Sequence, residues 1–219
     1  MKLPRKKRKQ TIGEEIANAI SHGVMGLFGL IALILLLIRS STIREYIAAL
    51  LFGGSITLLY VMSTLYHSLT NQKAKSVFKR MDHISIYVLI GGTFAPALLL
   101  IPDLQTPFLG SISLGVLLLT IQWILIIIGT VFKAIWIKKF STIHVILYLL
   151  MGWSSLIFVG ALINYSPDAF IFVLLGGIAY SLGVIFYALS RIKYFHFIWH
   201  LWTALATILQ FIAIYEYLY

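Results

Sequence analysis

Seven stretches of predominantly apolar residues follow one another along this chain, and short polar segments separate them. Each stretch is about 20 residues long, which is the length that a helix needs to cross a hydrocarbon core of roughly 30 Å. The runs are continuous, whereas a transmembrane β-strand would alternate apolar and polar side chains over about ten residues. The pattern therefore predicts an all-α bundle of seven transmembrane helices, at about residues 18–38, 46–66, 82–101, 108–130, 140–162, 169–190 and 196–216.

The composition indicates the same class of protein. Hydrophobic residues make up 60% of the 219 positions and charged residues 11%, and the mean hydropathy is +0.96. So few polar side chains cannot cover the surface of a soluble globule. The chain contains no cysteine, which excludes disulfides and thiolate ligands and leaves histidine and carboxylate to bind any metal.

The distribution of Lys and Arg predicts the orientation in the membrane. Of the 17 basic residues, all but Arg39 and Arg44 fall in the N-terminal tail or after the second, fourth and sixth apolar runs. Because basic residues concentrate on the cytoplasmic side of membrane proteins, the N-terminus is expected in the cytoplasm and the C-terminus outside. This topology accounts for most of the net charge of +10, so we do not expect nucleic-acid binding.

The predicted organisation has two parts. Residues 1–17 form a basic cytoplasmic tail and the start of the first helix, and residues 18–219 form a single seven-helix domain. Glycines are expected to let the helix backbones approach one another closely and to carry no chemistry; they are Gly23, Gly26, Gly29 and the pairs Gly53–Gly54 and Gly176–Gly177.

Two histidines, His196 and His200, open the last apolar run four residues apart. Residues at this spacing lie on one face of a helix, about one turn apart, so both imidazoles can bind a single ion. The spacing alone is weak evidence, because it also occurs by chance. An ionisable side chain near the hydrocarbon is costly, however, and usually functional.

Three further polar residues are predicted at the same depth. His67 closes the second apolar run with Ser63 on the same helix face, and Asp82 opens the third run. Three imidazoles and a water form the open shell typical of catalytic zinc, and a nearby carboxylate can accept a proton from that water. Asp82 is then the expected general base, and Ser63 a partner of Asp82, of the water or of a developing oxyanion. Taken singly, each side chain would instead be expected to reach the interface or to satisfy a neighbour.

The remaining polar residues at this end have less certain roles. Glu15, Asn18 and His22 share one face of the first helix, where they either line and orient the site or, for the glutamate, simply suit the positive end of the helix dipole. His83 and His144 stand beside basic segments and are interpreted as interfacial.

Four segments together resemble the successive signatures of the hemolysin III family. They are EIANAISH at residues 15–22, STLYH at 63–67, Asp82 followed by GGTFAP at 91–96, and HFIWH at 196–200. That family is the bacterial branch of the progestin and adipoQ receptor group, within a superfamily that includes alkaline ceramidases. The resemblance implies zinc held by His67, His196 and His200, a water held by Asp82 with Ser63 close by, and a cytoplasmic N-terminus.

Three functions remain open at this point. The resemblance points to lipid-amide hydrolysis or to receptors, whereas the family name refers to haemolysis. The open metal shell in an apolar setting favours a zinc-dependent hydrolase, in which metal-bound hydroxide attacks a lipid amide or ester and Asp82 is the general base. A haemolytic pore is less favoured, because no apolar run carries a polar stripe that would line a wide channel. A non-catalytic metal that staples the second helix to the seventh, in a receptor or structural protein, is the third alternative.

The expected cofactor is therefore Zn²⁺, although three imidazoles also suit other first-row metal ions. The expected partners are membrane lipids and a lipid-like small-molecule substrate or ligand. The expected location is a bacterial cell membrane, as a multi-pass integral membrane protein. The sequence specifies neither the substrate nor the oligomeric state.

Overall fold

The structure, a computed structural model, describes residues 8–136 and 140–219, with the side chain of Ser141 excepted. The tail before Arg8 and the basic residues Lys138 and Lys139, which contribute to the predicted charge asymmetry, lie outside the described residues. Seven helical spans in the described parts are long and apolar enough to cross a membrane. This confirms the predicted all-α, seven-span bundle, while the orientation of its termini stays a prediction.

The helices are α1 (Ile12–Arg39), α2 (Ile43–Ser68), α3 (Gln72–Leu100), α4 (Leu114–Ile135), α5 (Ser141–Trp153), α6 (Val159–Tyr165), α7 (Pro167–Ala188) and α8 (Phe195–Tyr217). A 3₁₀ segment (Ser154–Phe158) joins α5 to α6, so that these elements together form the fifth span. A second 3₁₀ segment (Pro102–Gln105) and an antiparallel hairpin of β1 (Pro107–Leu109) and β2 (Ile112–Ser113) lead from α3 into α4.

Side-chain caps fix where the first helices begin. The Thr11 hydroxyl accepts a hydrogen bond from the Glu14 backbone N–H, and the Glu14 carboxylate accepts one from the Thr11 N–H in return. Thr42 and Glu45 repeat this arrangement at the start of α2. Such reciprocal caps satisfy backbone donors that the first turn of a helix leaves unpaired.

The third helix begins ten residues earlier than the apolar run that predicted it. The Asn71 side chain accepts hydrogen bonds from two backbone N–H groups of the next turn and so starts the helix at Gln72. The basic residues from Lys73 to Arg80, predicted in a loop, are therefore helical. Asp82 consequently lies inside α3 and does not open it, which corrects the prediction.

Two further boundaries differ from the prediction. The β-hairpin occupies the predicted start of the fourth span, and α4 instead extends to Ile135. Lys133, predicted in a loop, therefore lies in α4, where its residue is only 2% exposed. The fifth span, predicted as one helix, is interrupted by the 3₁₀ segment where the sequence carries Ser154 and Ser155.

Close backbone packing brings α1 against α2, as the glycines predicted. A Cβ added to Gly53 would lie 2.6 Å from the Leu33 Cα, and one added to Gly29 would lie 2.7 Å from the Ile56 Cγ2. Gly54, by contrast, faces open space, with nothing within 4 Å of an added Cβ. Helix α1 also packs against α8, so it contacts both helices that carry the predicted metal ligands.

Candidate metal centre

Three histidines converge at one end of the bundle. His67 lies at the last turn of α2, and His196 and His200 lie in the first turns of α8. One nitrogen from each ring lies within 4.8 Å of those from the other two, and the ring centroids are 4.8–5.3 Å apart. Among the residues that the structure describes, this is the one group of three or more His, Asp or Glu side chains close enough to hold a metal ion. The predicted ligand set is therefore brought together.

Glu15 of α1 fixes the outer side of the His67 ring. Its Oε2 lies 2.7 Å from His67 Nδ1, and its Oε1 accepts a hydrogen bond of 2.8 Å from Lys75 Nζ. A deprotonated carboxylate can only accept, so the His67 proton resides on Nδ1. The Nε2 lone pair then points into the cluster, where this nitrogen is buried without a partner. A buried polar atom left unpaired is costly. A metal ion bound by the three histidines would give the Nε2 atom a partner.

His200 is held in the same way by the backbone of α1. Its Nδ1 lies 3.3 Å from the Asn18 carbonyl oxygen and 3.3 Å from Ser21 Oγ. Since a carbonyl oxygen only accepts, Nδ1 carries the proton and Nε2 is left to bind a metal. The Asn18 side chain is fully buried beside the cluster, with its Nδ2 3.5 Å from His67 Nδ1.

His22 forms a wall behind the cluster. Its ring stacks on that of His200, with the centroids 3.5 Å apart and the planes at 9°. Its Nε2 lies 3.4 Å from Thr203 Oγ1, and its Nδ1 is buried without a partner. His22 thus supports the His200 ring but is not one of the three converging ligands.

Asp82 and Ser63 lie beside the histidines and outside the ligand set. Asp82 is partly buried, with its Oδ2 3.4 Å from His83 Nδ1, and it interacts electrostatically with His67. Ser63 is 1% exposed, and its Oγ makes no hydrogen bond of good geometry, although Asp82 is near enough to interact with it. Both residues line the cavity that also receives His196 and His200.

His144 is buried within the bundle, and its interfacial position stays a prediction. Its residue is 3% exposed, and its Nδ1 lies 2.7 Å from the Tyr87 hydroxyl oxygen. The reason is that the start of α5 packs against α3, which gives the imidazole a buried partner. His83 is partly buried, and its Nδ1 donates to the Lys79 carbonyl at 2.7 Å.

A long apolar cavity of about 210 Å³ begins at the histidines. Its polar end is lined by Ser63, Asp82, Lys133, His196 and His200. Its other walls come from α3, α5, α7 and α8 and are mainly aliphatic and aromatic. The residues of α8 that line it run from His196 to Ile214, which lie about 27 Å apart along the helix at 1.5 Å per residue. Two of the clustered histidines therefore line a cavity whose walls are mainly apolar.

The sequence reasoning missed the residues that hold the start of α8. Glu14 is 2% exposed, and its Oε1 accepts a hydrogen bond of 2.9 Å from the Tyr194 backbone N–H. Arg8 forms an ion pair with the same carboxylate and donates to the Arg191 carbonyl. The one signal in the sequence was the Thr–x–x–Glu capping pattern at Thr11 and Glu14, which predicts a helix start but not a contact with the segment before α8.

The sequence of this chain is similar to those of several known proteins. The sequence model described as "Haemolysin-III related" matches residues 10–211. A hemolysin-3 homolog of Bacillus subtilis (strain 168) is 42% identical over 194 residues, which cover 87% of each chain. Hemolysin-3 of Bacillus cereus is 37% identical over 95% of this chain and 93% of its own. The human monocyte to macrophage differentiation factor is 28% identical over 96% of this chain and 87% of its own.

The family match includes the positions of all three clustered histidines, His67, His196 and His200. Together with the seven apolar helices, the family match and the bacterial relatives establish a multi-pass integral membrane protein. This chain belongs to the haemolysin-III related family.

Proposed function

We propose that the protein is a zinc-dependent hydrolase that cleaves an amide or ester bond of a membrane lipid. The observation that carries the proposal is the convergence of three histidines, two of which, His196 and His200, line a largely apolar cavity. The buried, unpartnered Nε2 of His67 supports a metal at that point. A soluble substrate would have no need of a cavity that follows most of the length of α8.

His67, His196 and His200 would hold the ion, and three protein ligands leave a fourth position open. Zinc bound there would supply a Lewis acid and a water that loses its proton near neutral pH. Helix α1 fixes the Nδ1 atoms of His67 and His200, so both rings would bind the ion through Nε2. The site therefore fits the donor set that catalytic zinc prefers.

The chain's own residues supply the proton transfers. Asp82 would accept the proton of the attacking water and pass it to the leaving amine or alcohol, so that the acyl carbon gains the hydroxyl group as its bond to nitrogen or oxygen breaks. Ser63 would donate a hydrogen bond to the carbonyl oxygen as negative charge develops on it. Its Oγ has no competing partner of good geometry.

The cavity indicates the class of substrate. A lipid acyl chain would lie along the apolar walls, and the scissile bond would reach the polar end near Asp82. Lys133 lines the same end, so the headgroup side of the substrate would meet polar side chains. Membrane lipids with an amide-linked or ester-linked acyl chain meet these requirements.

The test is a release assay for fatty acid from ceramide and from phospholipid, with purified protein in detergent and an Asp82→Asn variant. Removing a general base typically lowers the rate about 10²–10⁴-fold, while the metal content should stay unchanged because Asp82 is not in the ligand set. Asp103→Asn, an exposed aspartate outside the site, is the matched control and should keep full activity.

Turnover that survives in Asp82→Asn would eliminate Asp82 as the base. Failure of the metal-loaded wild type to release fatty acid from either lipid class would remove the hydrolase proposal. Each result is read against metal content measured on the same sample.

Membrane lysis is the second candidate, and the names of the two Bacillus relatives favour it. The apolar lining of the cavity speaks against a wide aqueous pore. Liposomes loaded with a self-quenched dye separate the two functions. Release that is the same for the wild type and for a variant lacking the three histidines would indicate a pore that is independent of the metal.

A further inference from the structure

Helix α1 contributes no ligand to the cluster, yet it contacts two of the three ligands. Glu15 reaches the His67 ring of α2, and the Asn18 carbonyl and Ser21 hydroxyl reach the His200 ring of α8. We infer that Glu15 is a positioning residue, which sets the tautomer of His67 and strengthens its bond to the metal. The inference rests on the metal-binding part of the proposed function and not on the hydrolysis.

The first step concerns geometry. The Oε2–Nδ1 distance of 2.7 Å is that of a strong, charge-assisted hydrogen bond. His67 is almost completely buried, with 1% of its side chain exposed, so no water competes for Nδ1. Carboxylate partners of this kind fix the ring orientation of metal-binding histidines and raise their basicity as ligands.

The second step concerns charge. Lys75, from the first turn of α3, bonds the other oxygen of the same carboxylate at 2.8 Å. This pair ties α1 to α3 and fixes the rotamer of Glu15. Because α1, α2 and α3 are joined at one side chain, the position of His67 depends on all three helices. If Glu15 only stabilised the bundle, its bond to Lys75 would be sufficient, and the short bond to His67 would not be required.

The third step separates Glu15 from the other contacts of α1. His200 is held by the backbone carbonyl of Asn18, which a side-chain substitution does not remove, and by the uncharged hydroxyl of Ser21. Glu15 is therefore the point at which α1 can be tested without displacing the rest of the helix. Lys75 loses its carboxylate partner when Glu15 is made neutral, but 21% of its side chain is exposed, so the substitution does not leave a fully buried, unpaired charge.

The experiment is a zinc-affinity measurement by competition with a chelator, on purified protein in detergent, for Glu15→Ala and Glu15→Gln. Loss of an outer-shell partner typically lowers metal affinity about 10–100-fold, which is the result expected for alanine. Glutamine keeps an oxygen that accepts from Nδ1 but loses the charge, so it should fall between alanine and the wild type. Glu45→Gln, the same change at the first turn of α2, is the matched control and should bind zinc as the wild type does.

A second measurement guards against a variant that is merely unfolded. Co²⁺ replaces Zn²⁺ in such sites and has a visible absorption spectrum that reports ligand geometry, so Glu15→Ala should shift this spectrum while retaining a cooperative thermal transition without metal. Unchanged zinc affinity in Glu15→Ala, or an equal loss in Glu45→Gln, would overturn the inference. If the wild type does not hydrolyse lipid, the inference about Glu15 still stands, because zinc affinity is measured without a substrate.

Discussion

The contact between α1 and α2 provides a sharp test of how the bundle is held together. Gly53 and Gly54 are adjacent residues of α2 with opposite environments. A Cβ on Gly53 would lie 2.6 Å from the Leu33 Cα and 2.7 Å from its Cβ, whereas a Cβ on Gly54 would meet nothing within 4 Å. We predict that alanine at position 53 destabilises the protein relative to alanine at position 54.

The magnitude follows from two opposing terms. Replacing glycine by alanine inside a helix gains about 0.8–1.0 kcal/mol of helix propensity, and this gain is the same at both positions. Inserting a methyl group into a filled contact costs about 1–3 kcal/mol, and only Gly53 incurs that cost. The free energies of unfolding of the two variants should therefore differ by about 1–3 kcal/mol, with Gly54→Ala the more stable.

Thermal unfolding in detergent measures the difference. For a chain of this size, each kcal/mol shifts the melting temperature by about 2–4 °C, so Gly53→Ala should melt about 2–12 °C below Gly54→Ala. Equal melting temperatures would refute the close approach of α1 to α2 at Leu33, and a lower value for Gly54→Ala would refute the assignment of the two helix faces.

Two further predictions concern the bundle and the metal. Tyr60→Phe removes a hydroxyl that bonds Thr207 Oγ1 at 2.7 Å and the Thr203 carbonyl at 3.0 Å. It should cost about 0.5–1.5 kcal/mol, the net value of a lost hydrogen bond, because Thr207 Oγ1 keeps the Tyr180 hydroxyl as a partner at 2.8 Å. The thermal transition should show this loss, while Tyr46→Phe, at a residue that is 41% exposed, should leave it unchanged. Removal of zinc by a chelator should lower the melting temperature of the wild type reversibly, because a ligand at 100 times its Kd stabilises the folded state by about 2.7 kcal/mol. A melting temperature that does not respond to chelation would contradict binding of zinc to the folded protein.

The seven spans were predictable because a bilayer requires long apolar helices, and the apolar runs show them directly. The boundaries of α3 were not, because its first ten residues are polar and hydropathy does not register a helix that extends beyond the membrane. Asn71 was the available signal for its start. The break at Ser154–Phe158 coincides with Gly152 and the adjacent Ser154 and Ser155, a signal that hydropathy averaged over the whole span does not register.

The convergence of His67, His196 and His200 was predictable from their common depth, from the four-residue spacing of His196 and His200, and from the resemblance to the hemolysin III family. What surrounds them was not. The bond from Glu15 to His67 depends on how α1 is rotated against α2, and the sequence does not specify that rotation. The partner of His200 is a backbone carbonyl, and no pattern of side chains encodes such a contact.

The central claim is that His67, His196 and His200 bind a metal ion. Elemental analysis of the purified wild type, beside a variant with all three residues replaced by alanine, tests it most directly. We predict about one zinc per wild-type chain, as expected for one three-histidine site with an open position, and none in the variant. Absence of metal from carefully handled wild type, or retention of the same amount in the variant, would contradict the claim.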